Sequence, residues 1–405
     1  MFAEAFLAAS WTVVLFTQDP VGMRHKLEHK GLCNHPKLLW SKASEQRAKR
    51  PIDGIKIFCK RVLRTILRAF ESKQQRRQRE YGAQFLNPQT FKEDAQRALN
   101  EYPGTINLIF NMYVDGYLPQ SAIWEQLGFN TVNGQVEGQM VPWAGLCITP
   151  SNPLEQQWQK KIPSYYALSQ YRGTCFLDEA AVNSHRNYFP EKHFAFLPDI
   201  TETDLPAGPN PIANEIKRLA GGRCIVFMGG SIGKQKNIEN WASLILNLDP
   251  AKWYFVQVGR INHSSLTTED KKALHSLRQR QPQNLFIHPD YMPDETSFNA
   301  VIAAADVIFA VYRGFYRSSN MLSKAAYFEK PILVADHCLM GERVVKYGIG
   351  LAVPATSAER IAEGLLSLAK LEELPTKFAN YRSVFSRTEF DLSLAMFATT
   401  CLNQK

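Results

Sequence analysis

The sequence predicts an α/β protein of two doubly wound domains, each a parallel sheet with helices on both faces. Three observations carry that expectation. The chain's 405 residues exceed one ordinary core and suit two domains of ordinary size. From about Gly222 onward, short continuous apolar runs alternate with helical periodicities, the pattern of strands buried on both faces. Between the halves, Pro198 to Pro211 is rich in Pro, Gly and acids and reads as a linker. The division expected is 1–200, 201–380 and a terminal helical stretch, 381–405, that packs back on the N-terminal domain.

Each element of the second half follows from its own residues. Cys224-Ile-Val-Phe-Met228 is a strand, closed by Gly229-Gly230, and Ile238, Trp241, Leu244 and Ile245 set a helical period after it. Trp253 to Val258 is the next strand, ending at Gly259, and the charged stretch Thr268 to Arg280 is a helix. Leu285 to Ile287 is a strand, Ser297 to Ala305 a helix, and Val307 to Val311 a strand. Asn320 to Glu329 is a helix stopped by Pro331, and Ile332 to Ala335 a strand. A last amphipathic helix covers roughly Ser386 to Leu402. The first half shows three buried strands, Trp11 to Phe16, Ile106 to Phe110 and Gly145 to Thr149.

Composition narrows the function. With 45% hydrophobic and 21% charged residues the chain is globular rather than disordered. Its formal charge of +9 is local. Residues 42–80 hold thirteen Lys and Arg against four Asp and Glu, which is the whole excess. A chain that coats nucleic acid along its length is therefore not expected. The seven cysteines form no C-x-x-C pair, which argues for reduced packing thiols and against a zinc site. No apolar run approaches the roughly 20 residues of a spanning helix, and the stretch Ala5 to Phe16 lacks the basic flank of a signal peptide. The location expected is cytoplasmic.

The candidate binding residues lie at the first strand end of the second half. Gly229, Gly230 and Gly233 allow a close backbone approach, while Lys234 and Lys236 supply point charges. A helix start at Ser318, Ser319, Asn320 and Met321 adds unpaired amides that suit a diphosphate. The stretch is not a Walker loop, because Met228 stands at the first glycine position and Gln235 at the Ser/Thr position. The competing reading of Gly229-Gly230 is a tight turn with solvated lysines.

Taken with Ala305-Asp-Val-Ile308, Ser318-Ser-Asn-Met-Leu322 and Phe328-Glu-Lys-Pro-Ile-Leu333, the segment Gly230-Ser-Ile-Gly-Lys-Gln-Lys236 resembles the donor-binding domain of family 4 (group 1) GT-B glycosyltransferases. Pro198-Asp-Ile-Thr201 resembles the hinge of that family, and Val141-Pro-Trp-Ala-Gly145 a loop of its acceptor-side domain. The resemblance covers about 180 residues closely and the first half loosely. It implies two Rossmann-like domains facing a cleft and transfer of a sugar from a nucleotide-diphosphate sugar to a saccharide or lipid-linked saccharide, with no metal or separate cofactor. It places Gly230, Lys236, Ser318, Ser319 and Asn320 at the donor diphosphate; Gly229, Ser231, Lys234, Tyr291, Met321 and Lys324 are the further candidates for the donor nucleotide and diphosphate, and Arg313 and Tyr316 would face the sugar. Arg313 would bind phosphate or a carboxylated sugar, or is a surface loop residue. Lys324 would meet a diphosphate oxygen, or faces solvent. Asp115, just past a strand end, is the candidate catalytic base on the acceptor side, against the alternative of a turn carboxylate.

The sequence departs from the family at several points. Where many members carry two glutamates eight positions apart, this chain has Tyr316 and Lys324. Ser231 replaces the usual Arg, and no His stands near Thr149 and Pro150. These departures keep open a different class of function, a non-catalytic carbohydrate- or membrane-binding protein with a degenerate donor site. A nucleotide-sugar epimerase would need acids and a His that the sequence does not place. The chain also opens on a helix pattern, Met1 to Ser10, and then the strand Trp11 to Phe16, so the N-terminal domain is expected to lack its first strand.

Residues near 52–80 complete the reading. Ile55, Phe58, Cys59, Val62, Leu63, Ile66, Leu67 and Phe70 form an apolar stripe, with Lys56, Lys60, Arg61, Arg64 and Arg68 on the other face. Such a helix suits an anionic membrane surface, at about 1 kcal/mol per basic residue. The alternative is a stripe packed on the domain with solvated cations.

Overall fold

A computed structural model describes residues 1–15, 17, 20–41, 88–117, 141–150, 163–368, 371 and 374–404. The basic stretch 42–80, with its expected amphipathic helix, lies outside the described residues. The chain divides into two compact units, Met1–Leu197 with Phe390–Lys405, and Pro198–Glu389.

The first unit runs α1 (Phe2–Ala8), β1 (Val13–Leu15), α2 (Pro20–Glu28), β2 (Leu38–Trp40), α3 (Pro88–Glu101), β3 (Ile109–Asn111), β4 (Trp143–Cys147), β5 (Tyr171–Phe176), α4 (Glu179–Tyr188) and β6 (His193–Phe196). Strands β3-β4-β5-β6 form a parallel sheet in that order, and β1 pairs with β2 in a separate parallel pair. Among the described residues, none of the first thirty joins the four-stranded sheet. Strand β5 escapes the sequence reading for a physical reason. A Cβ on Gly173 would lie 1.7 Å from the His193 carbonyl oxygen, so close pairing puts a glycine, and no apolar signal, in mid-strand. The core is aromatic, with Trp143, Tyr165, Tyr171, Phe176 and Phe194 buried together. Phe390 and Phe397 of the terminal helix (Arg387–Asn403) pack on Phe2 and Phe110, with ring centroids 5.0 and 6.3 Å apart.

The second unit continues with α5 (Pro211–Ala220), β7 (Cys224–Gly229), α6 (Ile238–Asn247), β8 (Trp253–Val258), α7 (Thr268–Arg280), β9 (Leu285–His288) and α8 (Glu295–Ala304). It then runs β10 (Val307–Ala310), α9 (Met321–Tyr327), β11 (Ile332–Ala335), α10 (Leu339–Tyr347), β12 (Gly350–Val353), α11 (Ala358–Leu368) and α12 (Leu374–Val384). The six strands are all parallel in the order β12-β11-β10-β7-β8-β9. Strand β7 is therefore interior, which is why its sequence is continuously apolar. Trp241 of α6 is fully buried between Phe255 of β8 and Phe309 of β10, 5.2 and 5.1 Å between centroids. The chain moves from β7 outward to β9, then returns to β10 on the other side of β7. That reversal makes the carboxyl ends of β7 and β10 the topological switch point, where open α/β sheets leave a crevice.

Trp241→Ala should destabilise the second unit by about 3–5 kcal/mol, the range for truncating a buried aromatic. Urea denaturation of that unit checks it. A loss below about 1 kcal/mol would contradict the central packing role of α6.

Candidate functional site

The β7 end is shaped by close backbone approach. Gly230 has φ +93° and its N–H donates to the Val258 carbonyl at 3.0 Å. Gly259, at φ +127°, brings the β8 end so near that a Cβ there would lie 2.0 Å from the Gly230 oxygen. After this double-glycine seam, Lys234–Lys236 forms one 3-10 turn that carries the chain into α6.

That turn aims one lysine at the switch point. The half-buried Lys236 ammonium donates to the Gly229 carbonyl at 2.8 Å and to the Tyr312 hydroxyl at 2.7 Å. It also lies 4.2 Å from the centroid of the Tyr312 ring. Gly229 ends β7 and Tyr312 follows β10, so this one cation spans the switch point. An ammonium has three N–H donors, and these two bonds leave one for an incoming anion. Ser231 and Lys234 are exposed on the same loop.

The loop after β10 holds the other candidates, with mixed outcomes. Asn320 is exposed at the start of α9, and the Ser319 hydroxyl accepts from the Met321 amide at 3.4 Å. Tyr316 is 68% exposed, its ring 5.9 Å from that of His337. Ser318 is buried and turned inward. Its hydroxyl accepts from Arg343 at 2.6 Å and donates to the Asp199 carboxylate, so it is not offered to a phosphate.

Three expectations need correction. Arg313 is not a free cation on a surface loop, because its guanidinium is held by Asp270 at 2.5 Å and Glu239 at 3.2 Å. Lys324 neither faces solvent nor stands free to meet a diphosphate. It is buried, and donates to Asn299 Oδ1 at 2.5 Å and the Glu202 carbonyl at 3.1 Å, with Glu295 at 2.5 Å. Burial lowers its pKa, with Glu295 opposing the shift. Asp115 has both carboxylate oxygens engaged by the backbone, accepting from Ile148 N at 3.2 Å and Thr149 N at 2.8 Å. Burial raises its pKa against those two bonds, and the arrangement is that of a carboxylate tying a 3-10 turn to the end of β4. Tyr291 is exposed beyond β9, two strands away from β7. Sequence reasoning missed Tyr312 and Asp270. The signal for Tyr312 was its place directly after an apolar strand; Asp270 gave none beyond its part in the Thr267 capping box.

Asp199 offers a pH test of the buried cluster. Burial raises its carboxyl above the ordinary 3.8, and the Ser318 hydroxyl and Arg343 pull the other way. A raised native pKa means the folded chain holds this proton longer than the unfolded one, so its contribution to stability falls as pH rises from about 3.8. Asp199→Asn should therefore gain stability relative to the parent as pH increases from about 4 toward 7, measured by urea denaturation. A difference that does not change with pH would contradict the assignment.

No family model and no curated protein matches this sequence. Solved structures do match. A trehalose-6-phosphate structure from E. coli bound with UDP-2-fluoro glucose is 11% identical over 78% of this chain and 77% of that chain, with a TM-score of 0.58. The N-terminal domain of Candida albicans trehalose-6-phosphate phosphatase is 11% identical over 97% of this chain and 89% of its own, at 0.57. Sucrose-phosphate synthase from Thermosynechococcus elongatus is 14% identical over 76% of each chain, at 0.51. At such identities the likeness is one of fold, and the fold is GT-B.

Proposed function

We propose that the protein is a glycosyltransferase that moves a sugar from a nucleotide-diphosphate sugar to a saccharide or lipid-linked saccharide acceptor. The observation that carries this reading is the Lys236 ammonium, fixed between Gly229 and Tyr312 at the switch point of a GT-B second unit. In the transfer, the acceptor hydroxyl oxygen bonds to the anomeric carbon as the bond from that carbon to the diphosphate breaks, and the hydroxyl proton goes to the departing diphosphate. The charge that grows on the leaving diphosphate is what a preorganised cation stabilises. Lys236 supplies it without rearranging, because its position is already held by two internal bonds. Exposed Lys234 adds a second positive charge on the same turn, and the start of α9 lies on the loop beyond β10. Asp115 is not assigned a proton-transfer role here, since two amides already occupy its oxygens.

One observation favours a second reading, a non-catalytic binding protein on the same fold. The two positions where the family carries glutamates are Tyr316 and Lys324, and the latter is buried and engaged. Among the described residues no helix is long and apolar enough to cross a membrane. The reading keeps a cytoplasmic location and docking on an anionic membrane surface through residues 42–80, supported by the charge concentrated there.

A thermal-shift screen against UDP, GDP, ADP and their sugars separates these readings. One nucleotide sugar should raise the melting temperature, by the equivalent of about 2.7 kcal/mol at a hundredfold excess over Kd. Lys236→Ala should abolish most of that shift. No shift with any nucleotide would sink the glycosyltransferase reading, and a shift without release of free nucleotide diphosphate would favour the binding protein.

A further inference from the structure

Arg313 is engaged by acids, and the pattern of that engagement points to a role of its own. Its backbone N–H donates to the Gln235 carbonyl at 2.9 Å, so the loop after β10 is bonded directly to the turn that carries Lys236. Its guanidinium then reaches two further segments. One terminal nitrogen meets Glu239, in the first turn of α6, at 3.2 Å, and the other meets Asp270, in the first turn of α7, at 2.5 Å.

Asp270 is the unusual member. Its side chain is wholly buried, and beyond the capping bonds of its own helix it joins two distant pieces of chain. Oδ1 accepts from Arg313 and from the Glu239 amide at 3.3 Å, while Oδ2 accepts from the Thr267 amide at 3.2 Å. An Asp needed only to cap α7 would make the Thr267 contacts and remain at the surface. Burying the carboxylate is costly unless cations and amides satisfy it, and Arg313 is the cation that does so.

We propose that Asp270 and Arg313 form a positioning clamp for the anion site. They lock the Lys236 turn, the start of α6 and the loop after β10 into one arrangement before any ligand arrives. Neither residue need touch the ligand. The clamp sets where the Lys236 ammonium stands, because the turn is pinned on both sides of that lysine, at Gln235 and at Glu239. A fork-shaped guanidinium is suited to this, since one group bridges two acids in a fixed plane, whereas a lysine is a single point charge. This inference rests on the reading of Lys236 as a diphosphate ligand, and its test has a readout that does not.

The test uses the full chain with Asp270→Asn, Arg313→Gln, Arg313→Lys, the Asp270→Asn/Arg313→Gln double variant and Lys236→Ala. Hydrogen exchange of residues 231–239 is followed without ligand, and affinity for inorganic diphosphate is measured by calorimetry. Exchange in that segment should rise in Asp270→Asn and Arg313→Gln and stay at the parent level in Lys236→Ala. Diphosphate affinity should fall about tenfold in each clamp variant, with the double variant no weaker than either single, as expected of coupled residues. Arg313→Lys, which keeps the charge but not the fork, should fall between. Unchanged exchange in both single variants would overturn the clamp, and so would raised exchange with intact affinity. If the parent itself binds no diphosphate, the Lys236 reading falls, and a rise in exchange confined to residues 231–239 alone decides for the clamp. Should Asp270→Asn fail to fold, Arg313→Gln and Arg313→Lys, whose side chain is partly exposed, carry the same comparison.

Discussion

A parallel sheet covered on both faces can meet a ligand only at the ends of its strands, and this constraint governs the second unit. Strand β7 is interior, flanked by β10 and β8, and is apolar throughout because helices close over it. Its carboxyl end lies where the chain's reversal between β9 and β10 leaves room. Gly259 and Gly230 let the two backbones crowd together at that point, Gly229 makes room for the Phe227 and Phe298 rings, and the Lys236 ammonium bonds to the Gly229 carbonyl there. The place of the Lys236 ammonium is thus a consequence of strand order before it is a consequence of any motif.

What surrounds Lys236 divides into groups that face outward and groups that hold. Ser231, Lys234 and Tyr316 are exposed around the rim. Arg313, Lys324 and Ser318 carry equally suggestive chemistry and are spent internally, each with partners that are buried or contributed by distant chain. Lys324 and Asn299 join α9 and α8 to the backbone of Glu202, and Asn299 also reaches Asp204. Ser318, Ser323 and Arg343 gather around Asp199. The start of the second unit is therefore stitched to the helices that border the site, which gives the positions of these polar residues a structural cause.

The parts legible in the sequence were those with local signals. Strands β7, β10 and β11 announced themselves as unbroken apolar runs and β8 as one broken only by Gln257, while the Gly229-Gly230 turn with Lys236 stood out by its glycines and lysines at a strand end together with the family resemblance. Strands β5 and β12 did not, because backbone proximity demands Gly173 in one and Gly350 in the other, and glycine erases the apolar pattern. The fate of Arg313 was illegible for another reason. Its decisive partner lies 43 positions away, and the partners of Lys324 lie 25 and 122 positions away. Whether a loop cation faces a ligand or an internal acid depends on tertiary neighbours that no local window contains.

The central claim is that Lys236, and not merely a basic loop, receives the diphosphate of a sugar nucleotide. Lysine-selective acylation read by mass spectrometry tests this directly, because Lys234 on the same turn serves as an internal reference. In the presence of the nucleotide sugar that binds, modification of Lys236 should slow relative to the free chain, while Lys234, being exposed, should change less. Equal rates at Lys236 with and without bound nucleotide sugar would contradict the account.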